Sequence, residues 1–460
     1  METRGSVIMA DHRLNTTMTE GSLPKQIMLF SLPLMLSNVL QVLFNMSDVA
    51  VVGRFAGSHA LGSVGSTSIL VSLLTTVLIG VGSGVNIMVA RYMGARNDRE
   101  VVDAVHNSFV ICLVAGCLLM FASLLGARPI LELLGTKEEL IDGAETYLRI
   151  YAFGLPAAGL YNFGNAVLSA AGDTRRPLYI LSAAGILNVI LNLFFVIVCG
   201  MAEAGVALAS SISQWLSASL VVALLIRSST VYALHPKLIR VQPEMMKRIL
   251  PLSLSAAAQN AIFAVANLFI QSGVNSFDTV IVEGTAAATN ADALCYDVMA
   301  ALYTACSSFM SQNYGAGKRK RVLHSYLISL GYSFGIGLVI GLILEFFGKG
   351  FLALFTSDAA VMEAGMVRLR VMGFSYAFSA FMDCTIAASR GLGKSGVPTA
   401  IVIMGSCVFR VVWVYTVFAY FHTILSLYLL YIFSWSITAI AEIIYFVYIY
   451  RRLEDKMAAA

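Results

Sequence analysis

Phe44-Asn45-Met46-Ser47-Asp48-Val49-Ala50-Val51-Val52-Gly53-Arg54 closes the first long apolar run of the chain and carries one acid near its end. A carboxylate inside a membrane helix costs about 2.5–3.5 kcal/mol on insertion scales, so an acid kept there marks a function by default. The stretch decides the fold because its apolar surroundings recur along the whole chain. Of 460 residues, 58% are hydrophobic and only 12% charged, and the mean hydropathy is +0.80. A soluble domain would carry about 25% charged residues.

The apolar residues fall in blocks long enough to cross a hydrocarbon core of about 30 Å as helices. Twelve spans are predicted, six at 27–52, 61–90, 104–126, 146–171, 178–198 and 204–226. Six more follow at 249–275, 285–312, 322–347, 365–389, 398–420 and 424–450. The only long polar connection, 227–248, separates the sixes. The expected organisation is a tail over 1–24, a first lobe over 25–226, a linker over 227–248, a second lobe over 249–450 and a tail over 451–460. The fold class is an all-α integral membrane protein. No cleaved signal peptide is expected, because the N-terminal tail lacks an apolar core. Most Lys and Arg fall on alternate connections, such as Arg91/Arg96/Arg99, Arg175/Arg176 and Lys318-Arg319-Lys320-Arg321. The positive-inside rule then places both termini in the cytoplasm and the protein in a cell membrane.

The halves repeat. Tyr92-Met93-Gly94-Ala95 returns as Asn313-Tyr314-Gly315-Ala316, and Gly172 to Pro177 returns as Gly393 to Pro398, both at an offset of 221. Pro33 with Gln41 returns as Pro251 with Gln259 at an offset of 218. Six spans per half preserve orientation, so the lobes are parallel repeats about an axis along the membrane normal.

Several polar residues share a depth with Asp48. Span 1 runs outward, and Asp48 lies about 6 Å before its outer end, at a rise of about 1.5 Å per residue. Span 5 carries Asn188 and Asn192, four apart and so on one helical face. Asn192 lies about 9 Å from the outer end of span 5, and Ser210 about 9 Å below the start of span 6. A carboxylate, two amides and a hydroxyl suit a hard cation such as Na⁺, held at Asp48, Asn188 and Asn192; the carboxylate can instead take a proton. Asn and Ser also join membrane helices by packing hydrogen bonds alone, which is the competing reading. The second half has Ala266 and Asn267 at the place of Asp48, but carries Asp297, Asp383, Arg410 and Glu442 within spans. Arg410 is expected to neutralise one of these acids and to be the only basic residue well inside a span. Pro33 is expected to hinge span 1.

The seven cysteines lie in or beside apolar blocks and read as small fillers. Neither a Walker loop nor a hydrolase elbow nor a metalloprotease helix is present, so no enzymatic activity and no cofactor are expected. Gly80-Val81-Gly82-Ser83-Gly84 lies within a span and reads as close helix packing. The 26 Phe, 19 Tyr and 20 Met would suit a greasy, shape-tolerant cavity. The intramembrane acid and the repeat together point to a cation-driven transporter.

On these residues the chain resembles the multidrug and toxic compound extrusion (MATE) family over about residues 24 to 450. The resemblance rests on Leu32-Pro33 followed by Asp48 and Gly53-Arg54, on Ala90 to Ala95, Gly172 to Pro177, Gly205 to Ser210, and Arg390-Gly391. It implies two six-helix lobes around a central cavity, and efflux of organic, often cationic or amphipathic compounds by antiport with H⁺ or Na⁺. The chain is more similar to the prokaryotic DinF-like branch than to the NorM-like one. There the first-lobe site uses the positions of Asp48, Asn188, Asn192 and Ser210, with an acid in some members where Asn192 stands. The expected partners are small organic cations or drugs and the lipid bilayer, without nucleic acid, and the expected state is a monomer. The alternative function is a flippase for a lipid-linked precursor or polysaccharide. That reading calls for several arginines lining the cavity.

Overall fold

The computed structural model describes residues 17–458. Among these residues the chain is helical, with no strand. The first half contains α1 (Leu23–Phe55), α2 (Gly57–Gly94), α3 (Asp98–Leu133), α4 in two segments (Glu138–Ala152 and Leu155–Ala170), α5 (Arg175–Val198) and α6 (Ala202–Ile226). The second half contains α7 (Pro243–Val274), α8 (Thr279–Gly315), α9 (Arg319–Leu352), α10 (Ala359–Gly391), α11 (Gly396–Phe421) and α12 (Ile424–Ala458). Local chemistry sets the ends. Asn97, Asp278 and Asp358 accept hydrogen bonds from free N–H groups at the starts of α3, α8 and α10. The repeated motifs at Gly172 and Gly393 stop α4 and α10 with φ of 89° and 78°, a conformation that favours glycine.

Eleven of these helices are long and apolar enough to cross a membrane. The fourth expected span, 146–171, is not one helix: it belongs to two segments of 15 and 16 residues that break at Phe153-Gly154. Pro156 has no N–H for the preceding turn and crowds it, and Gly154 lets the chain yield there. Helix α6 takes up the freed backbone groups. Trp215 Nε1 donates to the Phe153 carbonyl at 3.0 Å and Ser211 Oγ to the Ile150 carbonyl at 2.8 Å. Several helices also reach beyond the expected spans: α7 begins at Pro243, inside the expected linker, and α3, α8 and α10 begin at Asp98, Thr279 and Ala359, each six residues before the expected start.

The chain forms two compact units. One is Leu36–Asn260; the other joins Met18–Met35 to the chain from Ala261 onward. Each therefore contains the first part of a helix whose remainder belongs to the other. In the first unit the second segment of α4 packs against α2, α3 and α6, and in the second α10 packs against α8, α9 and α12. The beginnings of α1 and α7 are tied down by polar contacts. Arg321 donates to the carbonyls of Gly21 at 2.8 Å and Met18 at 3.2 Å, and Lys318 to that of Thr19 at 2.9 Å. In the first unit Arg248 donates to the Tyr92 hydroxyl at 2.9 Å and Gln242 to Asp103 at 2.7 Å.

The glycine run on α2 does what close packing requires. A Cβ on Gly84 would lie 2.4 Å from the Ser253 backbone nitrogen, and one on Gly80 2.6 Å from that of Ala257. Ser253 Oγ uses the approach to donate to the Val81 carbonyl at 2.9 Å. Neither obstruction is a movable side-chain end, so the helices must separate to admit a methyl group. Overpacking of this kind costs about 1–3 kcal/mol or more. Gly84→Ala should lower the thermal midpoint of the purified protein by several degrees, whereas Gly65→Ala, with open space at its Cβ, should not. Equal midpoints for the two variants would contradict the close approach.

Candidate functional site

Helices α1, α5 and α6 meet where the apolar stretch around Asp48 ends. The approach of α1 to α5 is set by Gly185: a Cβ there would lie within the Phe44 ring, so only hydrogen lets the ring seat. One turn further, the four sequence-predicted polar residues come together. Asn192 Nδ2 donates to Asp48 Oδ1 at 2.5 Å and to Asn188 Oδ1 at 3.2 Å. Ser210 Oγ donates to Asp48 Oδ2 at 3.1 Å and receives Asn188 Nδ2 at 3.3 Å. The four side chains thus close a ring of hydrogen bonds. Asn192, Asn188 and Ser210 are buried, and Asp48 is half-buried.

Two features distinguish this ring from packing polarity. Among the described residues Asp48 forms no ion pair, so its charge is met only by an amide and a hydroxyl. Asn192 Oδ1 is buried without a hydrogen-bond donor. A buried polar atom left unsatisfied costs about 1–3 kcal/mol, and a cation or protonated group at this point would satisfy it. Two residues after Asn192 the helix widens to π geometry over Phe194–Val198. Such turns hold an extra residue and often accompany functional sites. A π segment recurs at Val414–Phe418, close to where the repeat offset would place it.

The other sequence-predicted residues lie elsewhere. Pro33 is in the same helix as Asp48 but in the part of α1 that belongs to the second unit. Asp297 and Asp383 are half-buried on α8 and α10. Glu442 on α12 is fully buried, and neither of its carboxylate oxygens has a hydrogen-bond partner.

Arg410 makes no ion pair with an acid among the described residues; Asp383 acts on it through space, and an amide, a hydroxyl and aromatic rings hold it. Nor is it the only basic residue inside a helix. Arg368 lies well inside α10, whose observed start is Ala359, and pairs with Asp292 of α8, Nε and Nη2 donating to Oδ2 at 2.8 and 2.6 Å. The Tyr376 hydroxyl also donates to Asp292. Sequence reasoning missed this triad. Its available signal was Asp292, an acid within the eighth span with no assigned partner.

The comparisons with known proteins agree with this architecture. The MatE family model matches residues 33–194 and 251–416. The probable multidrug resistance protein YpnP of Bacillus subtilis is 30% identical over 362 residues, covering 78% of this chain and 80% of that protein. An FAD transporter of Shewanella oneidensis is 26% identical over 343 residues, covering 72% of this chain and 74% of that protein. A multidrug resistance MATE family transporter of the MOP superfamily, solved in an outward-facing conformation, matches with a TM-score of 0.89 at 21% identity. That match covers 97% of this chain and 100% of the solved one. With both halves matched in order, the chain belongs to the MATE family of multi-pass membrane transporters.

Proposed function

We propose that this protein exports organic compounds across a cell membrane by antiport, with Asp48 as the group that exchanges the driving ion. One observation carries the reading: an acid in a membrane helix has no basic partner, yet sits in a ring of amides and a hydroxyl with a buried acceptor left over. With a single carboxylate in the ring, we assign the driving ion as H⁺, with Na⁺ as the alternative that the test separates. Proton uptake by Asp48 removes its acceptor role toward Asn192 or Ser210. The ring must then rearrange, and this couples ion occupancy to the packing of α1, α5 and α6. Alternating access follows when the packing differs between the two occupancy states. No cofactor takes part.

The named relatives support transport of organic solutes: one is a probable multidrug resistance protein and another an FAD transporter. Small organic cations and amphipathic drugs remain the first class to try. The flippase reading gains nothing from Arg368, because Asp292 neutralises it.

Efflux of a cationic dye from proteoliposomes, under H⁺ and Na⁺ gradients imposed separately, tests the proposal. A proton gradient alone should drive uphill movement; no movement under either gradient would refute antiport. Asn192→Asp provides a second reading of the site. It replaces the amide nitrogen 2.5 Å from Asp48 Oδ1 with a carboxylate oxygen, and two adjacent carboxylates require a shared proton or a cation. The variant should become more dependent on Na⁺ than the wild type. Unchanged ion dependence would remove Asn192 from the ion site.

A further inference from the structure

The second unit holds a buried guanidinium for which the transport reading gives no role. Arg410 lies in Phe409–Trp413, a short α segment of α11 with π geometry on both sides, at Ile403–Val408 and Val414–Phe418. It is 2% exposed. Its Nη1 donates to Asn267 Oδ1 on α7 at 3.2 Å and its Nε to Ser434 Oγ on α12 at 3.3 Å. Its central carbon lies 4.8 Å from the Tyr431 ring centre, 5.3 Å from that of Phe263 and 5.9 Å from that of Trp435. Among the described residues no carboxylate hydrogen-bonds to it. Asp383 acts on it only through space, and Arg368, which shares the Tyr431 ring, is already neutralised by Asp292.

An arginine cannot shed its proton to escape burial. Rings, an amide and a hydroxyl orient the guanidinium without cancelling its charge, and a buried charge that no carboxylate contacts directly is expensive within a membrane helix. Two hydrogen bonds leave most of its five N–H groups available. The surroundings combine an amide and a hydroxyl with three aromatic rings, and Asn267 among them is exposed. The repeat register sharpens the point. Counting by the repeat offsets, Asn267 stands one residue past the counterpart of Asp48, and Arg410 one residue past that of Asn188. The helices that hold a carboxylate among amides in the first unit therefore have counterparts holding a guanidinium in the second.

We propose that Arg410, Asn267 and Ser434 form a recognition site for the oxyanion group of an organic solute, with Phe263, Tyr431 and Trp435 receiving its planar ring. The planar guanidinium fork fits a carboxylate or phosphate while its faces stack on aromatic rings. The site deepens the transport reading and rests on it, adding anionic and zwitterionic aromatic compounds to the substrates.

The test uses purified full-length protein and two probes with the same ring, 2-naphthoate and 2-naphthylmethylammonium, measured by calorimetry with Trp fluorescence alongside. Wild type should bind the naphthoate about tenfold more tightly than the ammonium compound, the scale of one hydrogen bond to a charged group. Asn267→Asp places a carboxylate beside the guanidinium and pairs it. That variant should keep its fold, lose about tenfold in naphthoate affinity, and leave ammonium binding undiminished. Arg410→Gln should show the same loss. If Arg410→Gln fails to fold, Asn267→Asp decides alone. A wild type without preference for the naphthoate, or retention of that preference in the folded variants, overturns the site. Dye efflux separates the two proposals: absent gradient-driven efflux with intact Arg410-dependent binding would sink antiport and leave this site standing.

Discussion

Asp48→Asn should abolish uphill efflux under an imposed ion gradient while leaving the protein expressed, folded and able to bind substrate. The geometry explains why the fold survives. The amide oxygen of the new side chain can face Asn192 Nδ2, as Asp48 Oδ1 does at 2.5 Å, and its nitrogen can donate to Ser210 Oγ. That hydroxyl already receives Asn188 and has a second lone pair for the new donor. Its own proton loses the Asp48 acceptor, a cost of about 1–3 kcal/mol at most. Against this, removing the acid lowers the cost of inserting α1. Function does not survive, because an amide neither exchanges a proton at working pH nor balances a cation. The measurement is dye efflux in proteoliposomes at matched protein content, with substrate affinity measured separately. Efflux at the wild-type rate would take Asp48 out of the mechanism. Loss of affinity together with efflux would mean that Asp48 binds the substrate instead of driving it.

How well the sequence revealed this molecule depends on which force sets each feature. The Asp48 ring was legible because membrane thickness fixes depth. Counting about 1.5 Å per residue from the span ends put Asp48, Asn192 and Ser210 at one level, and a spacing of four put Asn188 beside Asn192. The helix count was nearly legible for the same reason. The break in α4 was not, since its signal was Gly154 with Pro156 in an otherwise continuous apolar run, and prolines elsewhere in the chain leave helices unbroken, as Pro33 and Pro129 do. The triad of Arg368, Asp292 and Tyr376 lay within the expected spans but went unread, because Arg368 stood near the edge of its span as hydropathy bounds it. Hydropathy starts a span at its apolar part, whereas α10 starts six residues earlier, where Asp358 caps it. The composition of the compact units was also not legible. Hydropathy divides the chain at its polar linker, but packing divides it within α1 and α7, where polar contacts at Arg321 and Arg248 hold each helix start against the other half of the chain. Arg410 was visible as a charge in a span. That no carboxylate among the described residues contacts it directly is a fact of side-chain packing, which no spacing rule conveys.

Pro33→Ala should raise thermal stability slightly, keep substrate affinity within about twofold, and lose most turnover. Helix α1 runs unbroken through Pro33, so the ring deprives the Leu29 carbonyl of its helical donor and crowds the preceding turn, at a cost of about 3 kcal/mol relative to alanine. A helix tolerates that cost where a bend is useful and neighbouring groups can take up the freed carbonyl. The position is telling. The chain passes from one compact unit to the other at Met35 and Leu36, two residues beyond the proline and inside the same helix. Asp48 lies fifteen residues further on, about 22 Å along the axis, and its partners on α5 and α6 belong to the same unit as itself. A change of charge at Asp48 alters what the later part of α1 contacts, while the earlier part stays packed beside Phe309, with the Phe30 ring 5.5 Å away. Softness between the two parts lets one move without the other. Alanine restores the missing hydrogen bond and stiffens that point, so the folded state gains while the cycle slows. Efflux rate, equilibrium substrate binding and thermal midpoint, measured on the same preparation, separate this from a passive kink. A passive kink predicts that stability rises and turnover stays. A packing role predicts that stability, affinity and turnover fall together, and either pattern would count against the hinge.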